Sequence, residues 1–373
     1  MSVGLSHGGT TMYTAHEPST EVLVGTMDGL VALQRSGGAW SVERETLDGL
    51  HVHAILLDES SVTIFAGAYR GGLYASIDGG ATWEQRDHGI GVKSLFCLAK
   101  ADIGGKRRIF AGTEPAHLYY SDDAGAHWDE FPKLRSVGSL PRWRFAAAPF
   151  EAHTKHINFD PADPGHLYVS IEVGGLLEST DGGRTWADIN VPHPDVHRTV
   201  MDPRTPGRLL TSGGAGLLET TDGGATWDQL LDKTNDIGAY PDLLVHVPSD
   251  PDQLYLAASQ TGPRSWVDAG VAGGRIGRSR DGGRTWSVLT GGLPDRMHGN
   301  VEAMCIEEAG ETVSLFAGST DGEVWWSDDA GDSWTRIAEG LAPICKSVHS
   351  EMLTGERTSV LRFSDGEQRE RTA

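Results

Sequence analysis

Residues 179–186 read STDGGRTW, and close variants of the same eight letters stand at 76–83 (SIDGGATW), 121–128 (SDDAGAHW), 220–227 (TTDGGATW), 279–286 (SRDGGRTW) and 327–334 (SDDAGDSW). Asp followed by Gly-Gly or Ala-Gly supplies the positive-φ positions and the side-chain cap of a tight hairpin turn. A turn written six times points to a structural repeat. Trp40, Trp83, Trp128, Trp186, Trp227, Trp286 and Trp334 follow one another at intervals of 43, 45, 58, 41, 59 and 48 residues, so the repeat occurs seven times with insertions.

Upstream of each tryptophan runs a β-rich segment that ends in small residues: EVLVGT, TIFAGAY, RIFAGTE, HLYVSIE, RLLTSGG, QLYLAAS and SLFAGST. Short alternating segments such as WEQRD and WADINV follow the turn. Each unit therefore reads as four antiparallel strands, and seven such units make an all-β, seven-bladed β-propeller over 21–365. Residues 1–20 and 366–373 are expected to be loose tails. The first unit has no inner strand of its own upstream, and ICKSVHSEML at 344–353 is expected to supply it and close the ring.

The pattern S/T-x-D-x-G-x-x-W resembles the Asp box, or bacterial neuraminidase repeat, and the match runs over about residues 22–340. Propellers that carry it include sialidases, xyloglucan-active glycoside hydrolases, sortilin-type receptors and a photosystem assembly factor. The resemblance implies that the repeated turns lie on the outer rim and hold the fold, with Asp78, Asp123, Asp181, Asp222, Asp281 and Asp329 capping their own turns. It does not extend to sialidase chemistry. Those enzymes open with a Phe/Tyr-Arg-Ile-Pro motif, whereas the first blade offers only Arg35 in LQRSGG and Arg44 in VERET. The xyloglucan-active relatives resemble two propellers with the substrate cleft between them, and this chain has one.

The 373 residues are 38% hydrophobic and 22% charged, with 49 glycines, which describes a turn-rich globular chain. The net charge of −21, from 31 basic and 52 acidic residues, opposes binding to nucleic acid or an anionic membrane surface. No run approaches 18 apolar residues and no basic, apolar leader opens the chain, so a cytoplasmic location is expected. Cys97, Cys305 and Cys345 are too few and too scattered for a disulfide framework or a zinc ribbon and read as buried thiols. A small-molecule substrate is expected, for a protein that is a monomer or a weak homo-oligomer.

In a propeller the inner strands line an axial channel. The segments HVHAILLD, HTKHINFDP, DVHRTVMDP, LLVHVPSDP and NVEAMCIEE, with KSVHSEM, bring His53, His156, His197, His246, Glu302 and His349 to nearly one register. Imidazoles converging from separate blades suit a divalent metal ion, manganese, iron or zinc, with Glu302 as a further ligand or a general base. Turns on the same face add Tyr69, Arg70, Glu114, Glu172 and His298. Two insertions add more, 260–274 with Arg264 and Trp266, and 138–153. Glu114 and Glu172 are expected to orient imidazoles, Arg70 and Arg264 to bind a carboxylate, and Trp266 to form a wall or lid. Glu302, Arg70, Glu114 and Glu172 are the catalytic candidates. Unrelated propellers, among them carotenoid-cleaving oxygenases and oligogalacturonate lyases, hold a divalent metal on axial histidines, an analogy of architecture. The reading is a metal-dependent lyase or hydrolase acting on a small carboxylated or carbohydrate-like substrate. An iron oxygenase and a non-catalytic binding or assembly propeller are the alternatives.

Overall fold

The computed structural model describes residues 2–355, so the expected tail at 366–373 and the last part of 21–365 lie outside the described residues. Seven sheets, antiparallel except where the two N-terminal strands join blades one and seven, follow one another along the described chain as the blades of a propeller. Blade one holds Glu21–Thr26, Gly29–Ser36 and Ala39–Thr46. Blades two to seven begin with the inner strands His51–Asp58, Leu95–Ile103, His153–Phe159, Val196–Met201, Tyr240–His246 and Val301–Ala309. Burial grades outward, as a wedge requires: every residue of Val196–Met201 is buried, whereas Asp228–Leu231 at the rim of the same blade has none buried.

The repeated phrase forms the hairpin between the third and fourth strands of its blade. In blade four, Asp181 Oδ1 accepts from Ser179 Oγ at 3.0 Å and Thr185 N at 2.8 Å, while Oδ2 accepts from Thr185 Oγ1 at 2.6 Å. Gly182 and Gly183 sit at φ 72° and 88°, where a side chain would strain the turn. Some of the tryptophans pin neighbouring blades together. Trp83 Nε1 donates to Thr46 Oγ1 of blade one at 3.2 Å, and Trp128 Nε1 to Arg86 O of blade two at 2.9 Å.

Ring closure differs from the expectation. The N-terminal residues contribute two strands to the ring: Ser2–Leu5 runs parallel to Glu21–Thr26 as the inner strand of blade one, and Met12–Ala15 runs parallel to Ile306–Ala309 of blade seven. The segment at 344–353 adds no strand. Ile344 packs with Val3, Leu5 and Phe316, and a helix occupies Ser347–Thr354, burying Val348, His349 and Met352 on one face.

Between the two N-terminal strands the chain crosses the axial channel. Gly8 N donates to His53 O at 2.8 Å, Gly8 O accepts from Leu98 N at 3.0 Å, and Thr10 N donates to Ile55 O at 3.2 Å. The crossing tolerates no side chain at two points: a Cβ at Gly8 would lie 1.8 Å from Phe96 O, and one at Gly9 would lie 2.2 Å from Ile55 O. The opposite end is capped by the insertion at 138–152, helix α1 (Pro263–Ala269) and helix α2 (Ser347–Thr354), which meet through Phe145, Ala147, Val267, Val348 and Met352.

Gly8→Ala is expected to cost about 2 kcal/mol or more in chemical denaturation, as overpacking against a fixed carbonyl does. Gly262→Ala, whose added carbon meets nothing closer than 3.9 Å, serves as the neutral comparison. Asp181→Ala removes three accepted hydrogen bonds from a surface turn and is expected to lower stability by about 1–2 kcal/mol without touching the channel.

Candidate functional site

Six inner strands share one irregularity, an extra residue relative to the strand beside them. The register slips between Val52 and Ala54, Leu95 and Cys97, Thr154 and His156, Val196 and Arg198, Pro241 and Leu243, and Val301 and Ala303. The bulged residues are therefore His53, Phe96, Lys155, His197, Asp242 and Glu302. A bulge re-aims its side chain, and at the inner edge of a blade this turns it toward the axis. His7, from the crossing segment, completes the set for blade one, with Nδ1 3.1 Å from Glu302 O.

These groups form a buried ionic hub. Lys155, fully buried, approaches three acceptors: His7 Nε2 at 2.9 Å, Asp242 Oδ1 at 2.9 Å and Glu172 Oε2 at 3.3 Å. Burial lowers its pKa, and Asp242 and Glu172 act to retain the proton. Lys346 reaches Glu172 Oε1 at 2.6 Å, and although burial opposes its charge, Glu172, Asp242 and Glu302 raise its pKa. Burial likewise works against ionised Glu172 and Asp242, but Lys155 and Lys346 hold both below the usual carboxylate range. Arg198, also buried, donates to His7 O. Carboxylates out of water persist only when paired in this way.

The protonation of each imidazole can be read from its partners, because a carbonyl oxygen only accepts. His197 turns Nδ1 to Pro241 O at 2.8 Å and Nε2 to Asp195 Oδ1 at 3.1 Å, so both nitrogens carry hydrogen. Its pKa is raised: burial disfavours the charge, and Asp195, Asp242 and Glu172 outweigh it. His7 and His53 are neutral by contrast, their pKa values lowered first by burial. His153 is gripped by two carboxylates, with Nε2 2.5 Å from Glu172 Oε2 and Nδ1 3.3 Å from Glu114 Oε2.

Above the hub and beneath the cap lies a narrow cavity of about 20 Å³, room for about one water molecule, partly open to solvent, walled by His51, His53, Tyr69, Phe96, Glu114, Phe145, His153 and Lys346, with Pro149, Ser347 and Val348 at the cap. Tyr69 donates to Glu114 Oε1 at 2.6 Å. His53 Nε2 is buried without a hydrogen-bond partner.

The expected residues divide accordingly. His53, His197 and Glu302 are ring members. His349 reaches the hub from α2, its Nδ1 bonded to Glu302 Oε1, and Glu114 and Glu172 flank His153 as expected of orienting carboxylates. His156 stands one residue past the bulge, with Nδ1 3.5 Å from Thr199 N of the next blade, and Lys155 takes its place in the ring. His246 lies four residues beyond Asp242, at the far end of its strand, bonded to Val247 O. Arg70 is exposed over the Tyr69 ring, Arg264 is exposed on α1, and His298 pairs with Asp321 in a separate groove between blades six and seven. Trp266 is wholly buried beneath α1, 5.0 Å from the His349 ring, and supports the cap from within. His7, Lys155, Asp195, Asp242 and Lys346 were not anticipated. Counting five residues back from the Asp-Pro of blades four and five finds Lys155 and His197.

Among the described residues two groups bring three donor atoms together as a metal ion would need: His7, Asp242 and Glu302, and Glu172, Asp195 and His197. In the structure these atoms already have partners within the protein: the Lys155 ammonium lies between His7 and Asp242 of the first, and in the second Lys346 holds Glu172 while His197 Nε2 donates to Asp195.

No protein-family model matches the chain, and no curated protein is similar to it in sequence. Solved structures share the fold. The GH74 xyloglucanase from Xanthomonas campestris matches with a TM-score of 0.62 at 18% identity over 91% of this chain, which spans 56% of that one. YCF48 bound to D1 peptide matches at 0.57 and 15% identity, covering 86% of this chain and 93% of that one. Saccharomyces cerevisiae Sqt1 matches at 0.53 and 10% identity, covering 92% and 88%. At these identities the likeness is one of architecture. Among the described residues no helix is long and apolar enough to cross a membrane.

Lys155→Met strips Glu172 and Asp242 of a shared cation and is expected to destabilise the protein by about 3–5 kcal/mol. His197 binds its proton more tightly folded than unfolded, so its contribution is complete below its ordinary value of 6.5 and fades as pH rises through the raised folded value. The stability lost in His197→Asn, measured by urea denaturation, is therefore expected to be larger at pH 6 than at pH 9.

Proposed function

We propose that the protein binds one small polar molecule in the capped cavity and performs acid–base chemistry on it, as a lyase or hydrolase acting without a metal ion. The observation that carries this reading is His53 Nε2. It is a buried lone pair facing a cavity, unused by the protein, on a ring whose other nitrogen is anchored 2.8 Å from Phe96 O. A neutral imidazole held in one tautomer is suited to accept a proton from a bound molecule. Glu114, ionised and held by Tyr69, faces the same space. Burial would raise its pKa, but His153, Tyr69 and Arg70 lower it. The buried ammonium groups of Lys155 and Lys346 take the charge-balancing role expected of a divalent ion.

The three free, buried thiols agree with a reducing, cytoplasmic setting.

A thermal-shift screen of small sugars and carboxylic acids is expected to yield binders whose stabilisation disappears in His53→Leu. Binders that stabilise wild type and His53→Leu equally would show that the cavity is not the site. Dialysis against EDTA is expected to leave the melting temperature unchanged. Loss of a stoichiometric metal ion together with a fall in that temperature would restore the metal-dependent reading.

A further inference from the structure

The walls of the cavity come from two bodies. His51, His53, Glu114 and His153 belong to blades two to four, whereas Lys346, Ser347 and Val348 belong to the segment that leads into and forms α2. That segment is fixed at its start. Pro343 O accepts from Met27 N at 2.8 Å, and Ile344, wholly buried beside Val3, Leu5 and Phe316, donates its N–H to Ser319 O at 3.1 Å. Beyond Ile344 it grips the hub through polar contacts: Cys345 O with His51 Nε2 at 2.8 Å, Lys346 N with Glu302 Oε2 at 3.1 Å, Lys346 Nζ with Glu172 Oε1 at 2.6 Å, and His349 Nδ1 with Glu302 Oε1. Val348 and Met352 pack with Phe145, Ala147 and Val267, which are other parts of the cap. Both latching carboxylates also have partners in the ring: Glu172 has Lys155 at 3.3 Å and His153 at 2.5 Å, and Glu302 has His7 at 3.5 Å. The hub therefore stays paired when α2 is away.

Resting on the reading of this cavity as the binding site, we propose that residues 345–354 form a lid, hinged after Ile344 and latched on Glu302 and Glu172, which lifts to admit the bound molecule. A cavity with room for about one water molecule keeps His53 Nε2 from anything larger while the lid is down. Lifting it removes Lys346, Ser347 and Val348 from the wall and opens that nitrogen to a molecule entering along the axis. Elements joined to the rest of a protein by few buried apolar contacts open at a lower free energy than global unfolding, and binding-site lids are drawn from them.

Cys345 reports the opening. Its thiol is backed by the N–H of Ser350 in the first turn of α2, and burial raises its pKa, so it is protonated and unreactive while covered. Cys305, buried in the core between blades one and seven, reports global unfolding. Wild-type protein is treated with N-ethylmaleimide in neutral buffer with increasing low concentrations of urea, and each modified peptide is followed by mass spectrometry. Cys345 is expected to react about tenfold or more faster than Cys305. Lid opening exposes little surface, so the Cys345 rate is expected to stay nearly constant with urea while that of Cys305 rises about tenfold or more per molar. Cys345 as unreactive as Cys305, or accelerated by urea in step with it, would overturn the lid. That result alongside ligands that stabilise through His53 would leave the cavity as the site, whereas selective reaction of Cys345 with no such ligand would keep the lid and remove the site.

Discussion

A ring of seven blades cannot be finished from its outside. Inner strands that converge on one axis leave a bore lined by backbone amides and carbonyls, and buried groups of that kind must be hydrogen-bonded. Here the first residues of the chain meet that demand. They pair with blade one, cross the bore through Gly8 and Gly9, and pair again with blade seven. The same crossing delivers His7 to the hub, and its Gly8 amide bonds the carbonyl of His53, whose ring faces the cavity. Closure, hub and cavity floor are therefore one assembly.

The bulges explain how a fold with alternating side chains concentrates charge at its centre. An unbroken inner strand would direct successive side chains to its two faces, toward the neighbouring blades. One added residue in each of six strands directs His53, Phe96, Lys155, His197, Asp242 and Glu302 inward at similar depth. Four of the six are ionised or readily ionised, so their identities are mutually constrained. Removing one alters the balance for all, as the shared pairing of Lys155 with Asp242 and Glu172 shows.

The blade count was legible because turn chemistry is local: an Asp, two small residues and a Trp within eight positions report their own geometry. The gathering of polar side chains at the axis was legible too, since inner strands must face it. The identity of its members was less so. A bulge adds one residue without altering the hydrophobic pattern, which places Lys155 in the ring while its neighbour His156 looks equally suitable on paper. In blade six the extra residues of VHVPSDP shift the count and bring His246 forward in place of Asp242. The N-terminal strands, SVGL and MYTA, have four residues each and flank a glycine pair, too short for alternation to show. Their partners are parallel and distant, and nothing local announces such pairing. The helix at Ser347–Thr354 was misread as a strand because KSVHSEM alternates over so few positions that both periods fit.

Parallel pairing of Met12–Ala15 with Ile306–Ala309 has a consequence for how the protein is made. Those four residues leave the ribosome early, but their partner strand is translated almost 300 residues later, a delay of roughly 15 to 60 seconds at ordinary elongation rates. During that interval the leading segment has no finished ring to cross, and blades can accumulate one after another without a sealed axis. Assembly of the charged centre is thus deferred to the end of synthesis, when the oldest part of the chain meets the newest.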